Sequence, residues 1–233
     1  MNDSTLNREL AALLPDIPRW LETRSMLLRQ CCEVLGLKRE GPSCVIHSLQ
    51  QKLISVVGRP EFEYIQSAVS VNNGLVLTTL ENIDYVAAAL PNSKVGFATL
   101  HVLRNDSRLA EVPEGRVAIL DPIEVLNVQV SDALREELLF VSRYSPIAAT
   151  FEDNVPVSFC YAASDTETLW DVSIDTLEPY RNRGYAGWCV SFMIRYMLQE
   201  GKQPVWGSAQ SNTASMKLAA KLGFVPVDEI AYF

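Results

Sequence analysis

The residues whose types and spacing suit chemistry lie in one stretch of this 233-residue chain, from Asp171 to Gly187. Arg181-Asn182-Arg183-Gly184-Tyr185-Ala186-Gly187 sets two guanidiniums and two glycines at the head of a long apolar run. If that run is a helix, its first N–H groups are unpaired and its dipole is positive there, which suits a phosphate. Gly184 and Gly187 let a bulky anion approach the main chain, and Arg181 and Arg183 add positive charge. The same turn also reads as a plain strand-to-helix junction with glycines for packing. Asp171 and Asp175 share one face of the preceding segment, with Glu178 just beyond. Each can take a proton from a nucleophile, directly or through water, or can sit as a solvated carboxylate without a role. Asp175, nearest the turn, is the first candidate for a base and Asp171 the second.

The elements that must position these groups are legible in the pattern. Trp170, Val172 and Ile174 alternate with Asp171, Ser173 and Asp175, which predicts a strand over 169–176. Pro179 cannot supply a ladder donor, so pairing should stop there. Residues 186–200 are almost wholly apolar, with Ser191, Arg195 and Gln199 on one polar stripe, which predicts a covered helix ended by Gly201. A strand over 205–210 follows, then a helix through Asn212, Ser215 and Leu218 to Lys221-Leu222-Gly223-Phe224, then a strand over 225–233. Trp170, Trp188 and Trp206 fall in this half, as buried aromatic core or as the wall of a pocket.

Upstream, residues 1–40 read as helical, with a broad apolar face over 17–35 that Gly36 and Gly41-Pro42 break. Short strands are predicted over 44–49 and 53–57, a helix from 58 to about 70, a strand over 75–79, a helix over 81–90 and a strand over 95–103. The polar run 104–115 is the best boundary, dividing residues 1–110 from 111–233. The second half then opens with a strand over 117–120, a helix over 131–142, and strands over 147–151 and 155–162 joined at Glu152-Asp153-Asn154. Both halves alternate strands with helices, so the first reads as a degenerate copy of the second. The class is α/β with a mixed sheet.

Composition narrows the function. The chain is 48% hydrophobic and 21% charged, enough to bury a substantial core. A net charge of −8 argues against nucleic-acid binding and suits cationic partners such as amines, or simply solubility. No apolar run reaches membrane-spanning length, and the first ten residues lack a leader's basic start and apolar core, so no membrane association is expected. Five cysteines without Cys-x-x-Cys spacing fit reduced thiols in a cytoplasm, and two histidines make a histidine metal site an unpromising reading. No P-loop and no dinucleotide fingerprint is present.

Arg181-x-x-Gly184-x-Ala186 after a strand, followed in order by Asn212 and Lys221-Leu222-Gly223-Phe224, resembles the GCN5-related N-acetyltransferase (GNAT) superfamily over the C-terminal half. Asp175-Thr176 before the turn and the Leu-Ala-Ala-Lys-Leu-Gly-Phe ending look most like a bacterial branch that includes antibiotic self-resistance acetyltransferases. The resemblance implies the GNAT acyl-CoA N-acyltransferase fold in 111–233, preceded by a smaller α/β region that shapes the acceptor side. It implies transfer of an acetyl group from acetyl-CoA to a small-molecule amine, by direct attack in a ternary complex and without a metal. In that carry-over Arg181, Asn182, Arg183, Gly184, Tyr185, Ala186 and Gly187 hold the pyrophosphate. Ile174 and Thr176 meet the acyl and pantetheine groups through the main chain, and Asn212 reaches the pantetheine amide. The tyrosine acid of many members falls at Ala219 here, which keeps open a non-catalytic acyl-CoA sensor or an interaction protein. The superfamily also has one more strand than remains after 225–233, so the sheet is expected to be truncated or completed by a second subunit in a homodimer.

Overall fold

Alternating apolar segments become strands and helically spaced ones become helices, and the computed structural model describes residues 3–38 and 41–233. In chain order, α1 (Asp3–Leu13) and α2 (Leu21–Leu28) precede β1 (Cys32–Leu35), β2 (Cys44–Ser48) and β3 (Leu53–Val57). Then come α3 (Phe62–Asn72), β4 (Leu75–Thr79), α4 (Ile83–Ala89) and β5 (Gly96–Leu103). The rest runs β6 (Val117–Ile119), α5 (Pro122–Asn127), α6 (Asp132–Val141), β7 (Ile147–Glu152), β8 (Val155–Asp165), β9 (Leu169–Thr176), α7 (Tyr185–Gln199), β10 (Gln203–Ala209), α8 (Thr213–Lys221) and β11 (Phe224–Tyr232).

All of these strands join one mixed sheet in the order β1-β2-β3-β4-β11-β5-β10-β9-β8-β7-β6. The centre of that order corrects the expected open edge. β11 lies between β4 and β5, antiparallel to both, and β5 lies between β11 and β10, antiparallel to both. The place of a further C-terminal strand is therefore filled by β5, from the first half of the same chain. The exchange is reciprocal: β3-α3-β4-α4-β5 repeats the order β9-α7-β10-α8-β11, and each series receives the other's last strand. The strand pairs β3–β4 and β9–β10 are both parallel, and in both the register covers three residues before the strands part.

Alternate residues commit the two faces. Ala148, Cys160, Ala162, Trp170, Val172 and Trp206 pack under α7 and α8. On the first half, Val45, Ile54, Val56 and Val76 pack under α3 and α4. The opposite face takes α5 and α6 over Ala149, Phe159 and Tyr161, and α1 and α2 over Cys44, Ile46 and Val57. Leu21 at the head of α2 packs on Leu169 and Val205, which fixes that helix against β9 and β10. Trp170 and Trp206 are thus core, whereas Trp188 is only partly buried.

Two readings of local structure change. The helix over 17–35 stops at Leu28: Gln30 takes φ 54°, and residues 32–35 pair with β2 as a strand. The outer residues of the helical reading, 1–2 and 39–40, lie outside the described residues. Residues 122–127, unassigned in the sequence, form α5 through a capping box in which Asp121 accepts from Ile123 N–H and Glu124 accepts from Asp121 N–H, both at 2.8 Å. The boundary run 104–115 is docked on α7. Ala110 N–H donates to Ser191 Oγ at 2.9 Å, and Arg195 Nη2 donates to Ala110 O at 3.1 Å, so the polar stripe of α7 holds this segment. Ser191→Ala leaves the Ala110 donor unpaired and is expected to lower unfolding free energy by about 1–2 kcal/mol. A urea midpoint that falls at unchanged slope would show it.

No helix among the described residues is long and apolar enough to cross a membrane. The five cysteines are all free and buried.

Candidate active site

The turn before α7 is built by two left-handed residues. Asn182 has φ 62° and Gly184, the residue capping the helix, has φ 89°, which suits asparagine and glycine. Successive N–H groups in such a turn face inward at the positive end of a helix. Thr150 Oγ1 donates to Tyr185 O at 3.1 Å and Tyr185 donates to Glu152 Oε1 at 2.8 Å, so the first turn of α7 is tied to β7. A Cβ added at Gly184 or at Gly187 would meet no atom within 4 Å. Both glycines therefore border open space: a cavity of about 610 Å³ bounded by the turn, by Thr176 and Trp188, and by Ala214 and Leu218 of α8. Its cations are Arg108, Arg181 and Lys221. Arg183 turns the other way, to Glu152 at 3.3 Å, and lies over the Tyr180 ring.

The edge of β9 beside this cavity follows from strand parity. Leu177 N–H donates to Val157 O of β8, whereas Thr168 O accepts from Gln203 N–H of β10. Even-numbered residues of β9 thus turn their N–H and C=O groups toward β10. The β9–β10 register ends at Asp171 and Val205, so the main chain of Ile174 and Thr176 faces the gap where the strands part. Arg181 Nε donates to Thr176 O at 3.1 Å, folding the turn back on the end of the strand.

On the opposite face the same parting opens into a second cavity, of about 360 Å³, lined at one end by Asp171, Glu22, Gly207 and Ser208. Burial, and then the neighbouring Glu22 charge, hold the Asp171 carboxyl well above the usual carboxylate range. Glu22 is raised as well, by burial, with Ser164 Oγ–H donating to it and Arg29 nearby in partial compensation. A carboxylate raised in this way is a stronger base than one in water, which suits it to taking a proton from an ammonium group.

Asp175 shares the face of Asp171 but has a different setting. It accepts from Tyr161 O–H at 2.8 Å. Beside it, Glu137 of α6 is raised by burial and by the Asp175 charge. Asp171, the second sequence candidate, is the one that opens into a cavity. Asn212 caps α8, its Oδ1 accepting from Ser215 N–H at 3.1 Å. Ala219 lies in the core with Trp206 and Leu222. Ser215 Oγ accepts from Trp206 Nε1 at 2.8 Å, while Tyr232 and Ser208 line the second cavity. Sequence reasoning missed Glu22, Arg108 and Lys221. Glu22 stands in α2, outside any motif, and the packing of Leu21 together with the Ser25 and Arg29 contacts to Asp165 brings it to β9.

Comparison with known proteins bears on the fold. The family model for GNAT acetyltransferases matches residues 147–233. An uncharacterized N-acetyltransferase of Bacillus subtilis, YdfB, is 33% identical over 85 residues, which is 36% of this chain and 33% of that protein. Among solved structures, a GCN5-related N-acetyltransferase-like protein from Streptococcus suis superposes with a TM-score of 0.70 at 17% identity, covering 99% of this chain and 97% of the other. An acetyltransferase of the GNAT family from Novosphingobium aromaticivorans gives 0.62 at 14% identity, covering 93% and 95%. The chain thus has the GNAT fold along its length, and residues 147–233 match the family model for GNAT acetyltransferases.

Proposed function

We propose that this protein is an acetyl-CoA-dependent N-acetyltransferase that acetylates a primary amine of a small molecule, by direct attack while both substrates are bound. The observation that carries the reading is the pair of cavities at one parting of β9 and β10: an open turn with Arg108, Arg181 and Lys221 on one face, and a raised carboxyl on the other. The turn's N–H groups and these cations would hold the diphosphate, and the free edge at Ile174 and Thr176 would meet the pantetheine arm and the thioester carbonyl. Arg183, tied to Glu152, supports the turn from outside. Asp171 takes the proton that the ammonium must lose, and the neutral nitrogen attacks the thioester carbon. The C–S bond breaks as the amide forms; the second proton that the nitrogen sheds leaves with the thiol of coenzyme A, and the first passes from Asp171 to solvent. Holding the reactants together can supply roughly 7–11 kcal/mol of the acceleration.

Residues 1–110 then act as a degenerate GNAT half that covers the acceptor side. Pro18, Leu53, Leu75 and Leu77 line the acceptor cavity. The turn before α3 matches the position of the one before α7, but Tyr85 closes it: Tyr85 O–H donates to Pro60 O at 2.6 Å and its ring packs edge-on against Phe62. One acyl-CoA cradle per chain follows. The buried, unpaired cysteines suit work in a cytoplasm.

The test is turnover. Acetyl-CoA with a panel of primary amines is expected to release free thiol in proportion to acetylated amine. The sensor reading is favoured by one observation, the burial of Ala219 where an acid would stand. It predicts tight coenzyme A binding with no thiol release from any amine.

A further inference from the structure

The acceptor cavity carries more information than its one reactive end. Its walls are apolar: Leu53, Leu77, Leu100 and Ile230 contribute alkyl groups, and the Tyr232 ring closes one side. Its volume of about 360 Å³ lies at the small end of ligand sites. Its acidic end holds two carboxyls, Asp171 and Glu22.

One cation lines it among the described residues, Arg19, and that guanidinium is already matched. Arg19 Nε and Nη2 each donate to one oxygen of Asp228 at 2.7 Å, and Nη1 reaches Glu81 at 3.5 Å. The pairing raises Arg19 and lowers Asp228, as expected of a bidentate contact between two ions. A ligand carboxylate entering here would meet two acidic groups and would have to break that contact to find a counterion. A second ammonium on the ligand would be buried among leucines without a partner, which is strongly unfavourable.

We infer that this cavity selects a primary amine carried on a compact apolar group, with no carboxylate and no second charge. The inference rests on reading the cavity as the acceptor site of the proposed acetyltransferase. It separates arylalkyl and alkyl amines from amino acids and from polyamines, all of which are primary amines. The ammonium end meets Asp171 and Glu22, and the apolar body replaces water against the leucine walls.

The experiment is a calorimetric titration of the full chain, without acyl donor, by 2-phenylethylamine, by phenylalanine and by 1,4-diaminobutane. Coenzyme A is titrated separately. 2-Phenylethylamine is expected to bind about tenfold or more tightly than either of the others, since each competitor leaves a charge unpaired. Gly207→Leu should remove that binding. A side chain at Gly207 starts in ordinary contact with Leu100 and Asp171, at 3.6 and 3.8 Å, and grows into the cavity. Phenylalanine or the diamine binding as tightly would overturn the inference. So would the absence of 2-phenylethylamine binding by protein that binds coenzyme A, which leaves the acetyltransferase reading standing. Binding of 2-phenylethylamine without coenzyme A binding supports the cavity's selectivity and removes the acetyltransferase reading instead.

Discussion

Replacing Gly187 by leucine is expected to abolish coenzyme A binding while leaving the fold at least as stable. Gly187 sits in the first turn of α7, its added Cβ would meet no atom within 4 Å, and it lines the cavity at the turn. A leucine Cβ there meets no clash, and removing a helix glycine gains up to about 0.5–1 kcal/mol. The same side chain projects into the space that a diphosphate must enter to reach the N–H groups. A loss of about a hundredfold or more in affinity is expected, at 1.4 kcal/mol for each factor of ten. Calorimetry reads the affinity. Thermal melting reads the fold: the free variant should melt at or above the wild-type temperature, and the upward shift that saturating coenzyme A gives the wild type should vanish. Gly184 is the less informative position. Its φ of 89° makes any side chain cost about 1–2 kcal/mol in backbone strain, so loss of binding there would mix with loss of structure. Unchanged affinity in Gly187→Leu would mean that the anion is held elsewhere, and the assignment of the turn would fall with it.

What could be read from the sequence was what neighbours in the sequence determine. The alternation from Trp170 to Asp175 fixes strand and face together, so Asp171 and Asp175 were placed on one face before any packing was known. The turn at 181–187 was equally local, because Gly184 and Asn182 do there what those residue types do best. Which aspartate opens into a cavity was not local. Tyr161 of β8 engages Asp175, and Glu22 arrives beside Asp171 on a helix that packs on β9 through Leu21. Residues 32–35 were misread for a related reason. Cys31, Val34 and Leu35 carry on an apolar run that suits either period, and pairing with β2 decides it.

The exchange of β5 and β11 was the largest feature beyond reach. Each strand has an ordinary alternating pattern, and nothing in either sequence says which of several neighbours it will join. The consequence for the site is direct. β5 and β11 bring Leu100 and Ile230 to the proposed acceptor cavity, and the first half also adds Leu53, Leu77 and Glu22. The proposed acceptor side therefore combines Asp171, Gly207 and Ile230 of the GNAT-like segment with residues remote from it, whereas the proposed acyl side is written almost wholly within that segment.

Asp171→Asn should give the second large effect, and its pH dependence separates a base from a merely structural residue. Asp171 is held above the usual carboxylate range by burial and by Glu22, so it accepts protons at a pH where an ordinary aspartate would not. In the wild type, kcat/KM should rise as Asp171 deprotonates, with a midpoint above ordinary aspartate, and then level off. The amine arrives as the cation, and Asp171 supplies the deprotonation. In the variant that limb disappears, and only the fraction of amine already neutral can react. For an aliphatic amine near the lysine value of about 10.4, that fraction at pH 7 is about one in 2,500. The rate at pH 7 should therefore fall by about two to three orders of magnitude, within the range that positioned bases contribute. It should then climb tenfold per pH unit toward the amine's own pKa, narrowing the gap at high pH. Stability should move the opposite way. A carboxyl raised in the folded state binds its proton more tightly there than in the unfolded chain, so it lowers stability as pH climbs from the ordinary value through the raised one. Removing the charge relieves that penalty and relieves Glu22 as well, so Asp171→Asn should melt no lower than wild type at pH 7. Asp175→Asn, with Tyr161 as its partner, should keep the wild-type shape of the profile. A uniform loss across pH in Asp171→Asn, or a loss of the ascending limb in Asp175→Asn instead, would move the base from Asp171 to its neighbour.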